Sequence, residues 1–407
     1  MTRIAVIGYG NRARKYLQYL KENPTAATLV AVVDSNLLRL EDAKEEFHLD
    51  EGCCFSDIND FFSSDIKIDS LIIATPDNLH FEPCIQALKK GCNVLLEKPI
   101  AQSIEECNEI LDLSKRVNKN VTICYVLRFY PYYQKIKSII ENVDLGDMVS
   151  INHVINVGID RTTHSYVRGI WNNSETSNPI ILSKCCHDVD LILWLTNSRV
   201  KTMSSYGSLK WFKSANAPVG SAERCIDCSI ERSCPFSAID LYIRRGEWTS
   251  NFVVPYGMNI NDVLHEEIKN GNYGKCIYHC NNDVYDHQIV SMEMQNGVLV
   301  NLSMDCFTLK DNRITNIKFI YGEIDADDEK IVVTDFRTRK VVEYNYSDIN
   351  KQPYHAGADL KIMEAFLSNV GDKLSVHIPR LESSIESHKI CFAAEECIRQ
   401  KKMKFFM

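Results

Sequence analysis

The chain contains 407 residues, of which 46 are Lys or Arg and 54 are Asp or Glu, so its formal net charge is −8. Its 45% hydrophobic and 25% charged residues are the proportions of a folded globular protein, which excludes collagenous, low-complexity and largely disordered classes. Because Lys and Arg form no concentrated run, nucleic acid and membranes are disfavoured as partners, and a small neutral or polar molecule is expected. No apolar stretch reaches the ~18 residues of a membrane span and the N-terminus lacks the pattern of a secretory signal, so we expect a cytoplasmic protein.

The first part of the chain alternates continuous apolar runs with amphipathic segments. The apolar runs predict strands at 3–8, 29–34, 70–75, 93–97 and 121–125. The amphipathic segments predict helices at 14–23, 37–47, 81–90 and 104–117. Strands that are apolar throughout are typical of a parallel sheet with both faces covered. We therefore predict an α/β fold that begins with a doubly wound Rossmann domain over residues 1–125.

The pattern then changes to longer runs in which apolar and polar residues alternate, which is typical of a sheet with one exposed face. We predict a second α+β domain with a large mixed or antiparallel sheet over 126–380, followed by a C-terminal helix within 381–407. A chain of 407 residues also exceeds what one hydrophobic core supports, about 300 residues. The segment 211–256 has neither helical nor strand periodicity, which predicts an insertion at the edge of the second sheet.

A glycine turn follows the first predicted strand. Gly8, Gly10 and Ala13 form a GxGxxA motif between a strand and a helix. The first glycine permits the tight turn, and the second lets the backbone approach a pyrophosphate. The helix N-terminus supplies N–H groups for the phosphates. We assign Asn11 and Arg12, inside the motif, to the same cofactor site.

Asp34 ends the second predicted strand, about 20 residues after the motif. Its carboxylate accepts hydrogen bonds from a ribose 2′-hydroxyl and repels a 2′-phosphate, which favours NAD over NADP; a Rossmann domain that holds no dinucleotide is the alternative. Two further strand ends should open into the same crevice, because ligands bind beyond the carboxyl ends of parallel strands. The candidates at those two ends are Thr75, Pro76, Asn78, His80, Glu97 and Lys98.

Four motifs in this order resemble the glucose-fructose oxidoreductase and inositol dehydrogenase (Gfo/Idh/MocA) family. They are the GxGxxA turn, ATPDNLH at 74–80, EKP at 97–99 and HDVD at 187–190. The resemblance implies an NAD(P)-dependent dehydrogenase, or a related enzyme, that acts on sugars, cyclitols or glycosides. It also implies a sheet domain that forms substrate walls and the contacts of a homodimer or homotetramer. By the same resemblance, Lys98 is the catalytic lysine and His187 the catalytic histidine.

The chemistry of alcohol oxidation suits these residues. A neutral base must accept the hydroxyl proton while the hydride leaves, and His187, with an ordinary pKa of about 6.5, is suited to this role. Lys98, as an ammonium, would hold the same oxygen and stabilise its negative charge. Many dehydrogenases of the family carry an Asp one helical turn before the histidine, where this chain has Ser183 followed by Lys184. Either His187 has another partner, or Lys184 contributes to acid–base catalysis.

Hydrogen-bonding and aromatic side chains that suit sugar hydroxyls and ring faces recur in the second part of the chain. The segment 164–171 mixes both kinds, although a loop packed under the sheet is an equal alternative. Asp190 either orients the site or serves the dipole of its helix. The predicted substrate-binding residues are Tyr125, Arg128, His153, Tyr166, Arg168, Trp171, Asp190 and His355.

Sixteen cysteines are more than an average chain contains, and in a cytoplasmic protein most of them should be reduced core residues. Cys225 and Cys228 form a CxxC pair inside the predicted insertion, and Cys234 follows closely. With Cys276 as the preferred fourth ligand, and Cys280 or His279 as alternatives to it, these thiols predict a structural zinc site. A redox-active CxxC and simply reduced cysteines are the alternatives.

The leading hypothesis is an NAD-dependent oxidoreductase that oxidises a secondary hydroxyl of a sugar, cyclitol or glycoside. An alternative of another class is a glycoside-cleaving enzyme that recycles its NAD through oxidation, elimination, hydration and re-reduction. The missing Asp and the presence of Lys184 motivate this alternative. A non-catalytic NAD-binding sensor is the third hypothesis, which the intact EKP and HDVD motifs disfavour.

Overall fold

The computed structural model describes residues 1–255, 258–350, 356–369 and 378–406. The described strands form two sheets, of six and nine strands. Among the helices of these residues, none has the length and apolar character needed to cross a membrane.

The first sheet is parallel throughout and has the strand order β3-β2-β1-β4-β5-β6. Its strands are β1 (Thr2–Ile7), β2 (Ala27–Val33), β3 (Cys54–Phe55), β4 (Ser70–Ile73), β5 (Asn93–Leu96) and β6 (Val121–Ile123). The helices between them are α1 (Asn11–Glu22), α2 (Leu37–Phe47), α3 (Ile58–Ser63), α4 (Phe81–Lys89) and α5 (Ile104–Val117). Every residue of β4, β5 and β6 is buried, as the apolar runs predict. The predicted doubly wound Rossmann fold is confirmed, and its strand order reverses between β1 and β4, where such sheets bind ligands.

Helix ends in this region carry the expected local signals. The side chain of Asn36 accepts a hydrogen bond from Leu38 N at the start of α2, and Ser103 accepts one from Glu106 N at the start of α5. These bonds satisfy backbone N–H groups that the helix itself leaves unpaired. Asn118 ends α5 in the left-handed conformation, with φ of 51°.

The second sheet has the order β14-β13-β12-β11-β7-β10-β9-β8-β15. Its strands are β7 (Met148–Gly158), β8 (Val200–Ser208), β9 (His287–Met294), β10 (Leu299–Thr308), β11 (Asn312–Phe319), β12 (Gly322–Ala326), β13 (Lys330–Asp335), β14 (Val341–Asn345) and β15 (Lys404–Phe405). Among the described strands of this sheet, only the pairing of β7 with β10 is parallel, so the sheet is mixed. Burial alternates along β9 and β10, which confirms the predicted one-sided sheet.

Helices of the second half cover this sheet and return to the first one. They are α6 (Pro131–Asn142), α7 (Ile159–Arg161), α8 (Ile180–Ser183), α9 (Cys186–Thr196), α10 (Ile260–Asn270), α11 (Ser347–Asn350), α12 (Ala358–Asn369) and α13 (Leu381–Gln400). Helix α13 packs on α9, β8 and α5, whereas α12 packs on α1. Ile362, Met363 and Phe366 of α12 lie in the same buried cluster as Ile4 of β1. The division of the chain into domains at residues 125 and 380 stays a prediction.

The predicted insertion consists of short turns and one π-helical segment, Ile239–Arg244. Helix α10 follows it and was not predicted from the sequence. The segment Thr162–Arg168 is also π-helical and wholly buried, so it is a packed part of the core.

Candidate active site

The glycine turn lies at the carboxyl edge of the parallel sheet. Gly8 has φ of +88°, and a Cβ there would lie 2.7 Å from the backbone of Ala74, so only glycine fits. A Cβ at Gly10 would meet nothing closer than Arg39 Nη1 at 3.9 Å. Gly10 precedes α1 and offers no side-chain cap, so the first N–H groups of the helix are available to a phosphate. The turn therefore fits the pyrophosphate of a dinucleotide.

Asp34 is buried directly after β2. Its carboxylate accepts hydrogen bonds from Tyr9 N at 2.8 Å and from Asn36 N at 2.9 Å. Arg39 Nη1 lies 3.5 Å from the same carboxylate. Asp34 is thereby fixed between the glycine turn and α2, where a dinucleotide ribose would lie.

Arg12 joins the glycine turn to the EKP motif. Its guanidinium donates to Glu97 Oε1 at 2.6 Å and to Asp359 Oδ1 at 2.9 Å, and Tyr16 also donates to Glu97. Burial alone would raise the pKa of Glu97, but the charge of Arg12 and these hydrogen bonds outweigh it and hold the pKa below its usual value. Arg12 and Glu97 thus orient the loop that carries Lys98, while their predicted contact with the cofactor stays a prediction.

The loop after β4 is tied to the loop after β5 by His80. Its ring nitrogens lie 2.6 Å from Pro99 O and 3.0 Å from Thr75 O, and the ring is buried. Pro76 and Asn78 instead line an open cavity of about 440 Å³. Among these predicted cofactor residues, His80 has a positioning contact and Asn78 faces the open space.

Lys98 is the second residue after β5 and lies at the carboxyl edge of the sheet. Its backbone N–H donates to Glu97 Oε2 at 3.1 Å. Its ammonium donates to the carbonyl oxygen of Ser183 at 2.5 Å, where α8 ends. The fold therefore brings the EKP lysine against the segment that leads into the HDVD motif.

His187 is the second residue of α9. Its Nδ1 atom is buried and has no hydrogen-bond partner among the described residues. The ring of Tyr125 meets the imidazole edge-on, with centroids 5.7 Å apart. Burial and the ammonium of Lys98 hold the pKa of His187 well below its usual value, so the imidazole is neutral. A buried nitrogen without a partner is costly, which marks this position as suited to a ligand hydroxyl.

Asp188 holds the start of α9 against the second sheet. It accepts a hydrogen bond from Arg313 Nη2 at 3.1 Å and lies 2.9 Å from His153 Nε2. The other ring nitrogen of His153 lies 2.9 Å from Thr315 Oγ1, so this buried histidine is fully engaged. Burial raises the pKa of Asp188, but Arg313 and His153 outweigh it, and the carboxylate is ionised. The predicted contact of His153 with substrate stays a prediction.

Lys184 follows Ser183, and its amine is buried. Its Nζ atom lies 3.5 Å from Asp311 Oδ1. Burial, reinforced by the nearby Arg161, lowers the pKa of Lys184 to about 7, so about half of the molecules carry a neutral amine at neutral pH. Asp311 also lines a cavity of about 840 Å³ together with Tyr130 and Arg313. Lys184 thus contacts Asp311 in the loop between β10 and β11, whereas Lys98 contacts Ser183 O at the end of α8.

Three further predicted substrate residues are engaged in buried contacts. Arg128 donates to both carboxylate oxygens of Asp190, each at 2.7 Å. Tyr125 OH lies 2.6 Å from Ser387 Oγ. Burial raises the pKa of Asp190 although Arg128 opposes the shift. The sequence contained no local signal for this pairing because its partners are 62 residues apart.

The segment 166–171 contributes one wall of the cavity that Pro76 and Asn78 border. Arg168 and Trp171 line it, and Trp171 Nε1 donates to Asp77 Oδ1 at 3.1 Å. Tyr166 is buried behind Trp171, with ring centroids 6.3 Å apart. Predicted cofactor and substrate residues therefore meet around one cavity. His355 lies outside the described residues.

The insertion reaches the glycine turn, which the sequence did not predict. Asn11 Nδ2 donates to Asn251 Oδ1 at 3.0 Å, and residues 250–254 form one wall of a cavity of about 520 Å³ that Gly10 and Asn11 line opposite. His164 stacks between Trp248 and Tyr273, with centroids 4.9 Å and 4.6 Å away, and thereby supports this segment. The only signal in the sequence was the density of aromatic residues around it.

The cysteines are free thiols throughout the described chain. Within those residues, no three or more His, Cys, Asp or Glu side chains form a group ready to hold a metal. The predicted zinc site is therefore not preformed.

A model of the oxidoreductase family with an NAD-binding Rossmann fold matches residues 2–125. Over these residues the chain is similar to the Gfo/Idh/MocA oxidoreductases. The chain is 24% identical over 204 residues to an inositol 2-dehydrogenase of Corynebacterium glutamicum, covering 49% of this chain and 55% of that one. It is 32% identical over 151 residues to a glucose-6-phosphate 3-dehydrogenase of Bacillus subtilis, covering 37% and 41%.

The fold of this chain is shared over its whole length with solved structures. A scyllo-inositol dehydrogenase from Lactobacillus casei, solved with NAD(H) and scyllo-inositol, superposes with a TM-score of 0.68 and 18% identity over 100% of this chain and 99% of that one. By sequence, the chain spans about half the length of the first curated relatives it matches. The resemblance to the family is confirmed over residues 2–125, where the matching model describes an NAD-binding Rossmann fold. The relatives named here give no support to glycoside cleavage, zinc or a particular oligomer.

Proposed function

We propose that this protein is an NAD-dependent dehydrogenase that oxidises a secondary hydroxyl of a sugar or cyclitol. The observation that carries the proposal is the meeting of Lys98 and the HDVD segment at the carboxyl edge of the parallel sheet. There the ammonium contacts Ser183 O, and the buried Nδ1 atom of His187 has no partner within the described part of the chain. The names of the inositol and glucose-6-phosphate dehydrogenases support the same substrate class.

The described residues fit the cofactor. Gly8 and Gly10 leave room for backbone contact with a pyrophosphate, α1 offers free N–H groups, and Asp34 is fixed where a ribose would lie. NAD, when bound, supplies the acceptor for the substrate hydride. Asn11 and Asn251 would flank its adenosine half.

The proton of the substrate hydroxyl goes to His187 in this proposal. Its neutral imidazole lies on the first turn of α9, which Asp188 anchors through Arg313 and His153. Lys98 exchanges its contact with Ser183 O for one with the substrate oxygen and stabilises the negative charge that grows there. A neutral base and a fixed ammonium on one oxygen are the groups that alcohol oxidation uses.

Lys184 contributes a second acid–base group. Its pKa of about 7 lets it take up or release a proton near neutral pH, and Asp311 holds its amine toward the larger cavity. We assign it to proton transfer between the site and solvent, because a buried amine of this pKa is suited to exchange.

The test is direct. Purified protein is incubated with NAD and a panel of cyclitols, aldoses and sugar phosphates, and NADH is followed by absorbance. We expect saturable, net NADH formation with at least one polyhydroxylated substrate. Tight NADH binding, measured by fluorescence, together with no turnover across the panel would overturn the proposal in favour of an NAD-binding sensor.

The glycoside-cleaving alternative is separated by a second arm of the same assay. Aryl glycosides are incubated with catalytic NAD in deuterated water. Release of the aglycone with deuterium at C2 and without net NADH would replace the proposed dehydrogenase, whereas net NADH without aglycone release supports it.

A further inference from the structure

Four cysteines from two distant segments border one small cavity. They are Cys225, Cys228, Cys234 and Cys276. The cavity has room for about 20 Å³, which is the space of one water-sized sphere. Arg168 borders the same cavity.

The backbone, rather than chance contact of side chains, brings the two segments together. Arg224 and Lys275 form an isolated antiparallel bridge, and Cys276 N donates to Glu223 O at 2.9 Å. Cys225 and Cys276, each adjacent to a bridge residue, are both buried and border the same cavity. The short turns 225–227 and 231–233 then place Cys228 and Cys234 over the same cavity.

Among the described residues, no carboxylate pairs with the buried guanidinium of Arg168, which lies beside the thiols. Arg168 is only 2% exposed, and its Nη1 atom has no hydrogen-bond partner among the described residues. Its other nitrogens donate to Lys275 O at 2.8 Å and Phe236 O at 2.7 Å, and Nη2 lies 3.8 Å from Cys225 Sγ. A fully buried guanidinium held only by carbonyls and a thiol is costly unless negative charge arises next to it.

We propose that Cys225, Cys228, Cys234 and Cys276 bind one structural zinc ion, whose charge is balanced by Arg168. Zinc with four thiolates is tetrahedral and carries a net charge of about −2, which supplies the missing counter-charge. On binding, each thiol loses its proton to solvent as its sulfur–zinc bond forms. The thiols border the cavity without yet converging on one point, so the ion draws them together by rotation about their Cα–Cβ bonds.

The position of the proposed zinc site suggests that the metal would stabilise the insertion next to the glycine turn. The insertion that the zinc ion would cross-link continues into the segment 248–254, which contacts the glycine turn through Asn251. A short segment with little regular structure gains order from a metal when its own apolar core is small. The zinc would therefore hold the wall of the cofactor cavity in place without taking part in hydride transfer.

The first experiment measures metal in the full-length protein, purified under reducing conditions without chelator, by inductively coupled plasma mass spectrometry. We expect about one zinc per chain. Replacement with cobalt(II) should produce the intense thiolate charge-transfer bands and the visible bands of a tetrahedral sulfur site. Protein that contains no zinc and gives no such cobalt spectrum would overturn the proposal.

Variants assign the ligands and the role of Arg168. Cys228→Ser should lose the metal, whereas Cys280→Ser, a neighbouring thiol outside the proposed set, should keep it. Arg168→Met should weaken cobalt binding about tenfold while leaving the tetrahedral spectrum unchanged, because it changes the surroundings of the ligands and not the ligands. Retention of full metal content by Cys228→Ser in folded protein, or loss of metal by Cys280→Ser alone, would refute the assignment. Circular dichroism shows which variants are folded.

Discussion

Two regions of the candidate active site hold a lysine in different ways. At the carboxyl edge of the parallel sheet, Lys98 follows a buried strand and bonds to a carbonyl on the opposite element. Between α8 and α9, Lys184 is buried and has a pKa of about 7. The strand end fixes where a group lies, whereas burial fixes which protonation state it holds. A dehydrogenase needs both, a placed ammonium and a group that exchanges protons near neutral pH.

The largest effect on activity is expected from replacing Lys98, at the carboxyl edge of the parallel sheet. Lys98→Ala should lower kcat by about a thousandfold or more, because it removes both the orientation of the substrate oxygen and the stabilisation of its charge. NADH binding, measured by fluorescence titration, should stay unchanged. Lys90→Ala, an exposed lysine at the end of α4, is the matched control and should behave like the wild type. Full activity of Lys98→Ala would remove this lysine from the mechanism.

The next largest effect is expected from replacing the buried Lys184, and it concerns the pH dependence of the rate. The neutral amine accepts a proton, so the rate of oxidation should rise with pH through about 7 and level off above it. Lys184→Met should lower kcat about a hundredfold and abolish that rise. Lys184→Arg, which stays charged, should be slow at every pH. A Lys184→Met profile that keeps the rise near pH 7 would assign it to another group.

The stability of the protein should also depend on the buried ion pair between Arg128 and Asp190 of α9. Asp190→Asn leaves the guanidinium of Arg128 buried with one neutral partner, and should lower the free energy of unfolding by about 3 kcal/mol. Urea denaturation followed by circular dichroism measures it. Lys201→Gln, which removes an exposed ion pair with Glu293, should change stability little. A KM effect without loss of stability would mean that Asp190 contacts substrate.

The smallest effect concerns cofactor choice at the sheet edge. Asp34→Ser should raise the KM for NAD about tenfold, since hydrogen bonds to a charged group are lost. It should also reduce discrimination against NADP, because the repulsion of a 2′-phosphate disappears. Steady-state kinetics with both cofactors measure the ratio. An unchanged ratio would show that Arg39, rather than Asp34, governs the choice.

Features that depend on the local backbone could be predicted from the sequence. Gly8, Asp34 and Lys98 each follow an apolar run, and the edge of a parallel sheet is where such residues must lie. Four short motifs were enough to indicate the family and its cofactor.

Features that depend on distant partners could not be predicted. Arg12 meets Asp359 across 347 positions, and neither residue has a local signal for the other. The lowered pKa of Lys184 arises from burial and from Arg161, which only the folded chain brings together. The contact of Asn251 with Asn11 could not be predicted, because the segment around Asn251 has neither the helical nor the strand periodicity of apolar residues.

The return of α12 to the first sheet has a practical consequence. Phe366 and its neighbours complete the apolar cluster around β1, and Asp359 neutralises part of the charge of Arg12. A fragment that ends after β6 would expose this cluster to water and leave Arg12 with one carboxylate fewer. We therefore expect the dinucleotide-binding domain not to be an autonomous folding unit: truncation for crystallography or for isolated cofactor measurements should keep residues 358–369 with it.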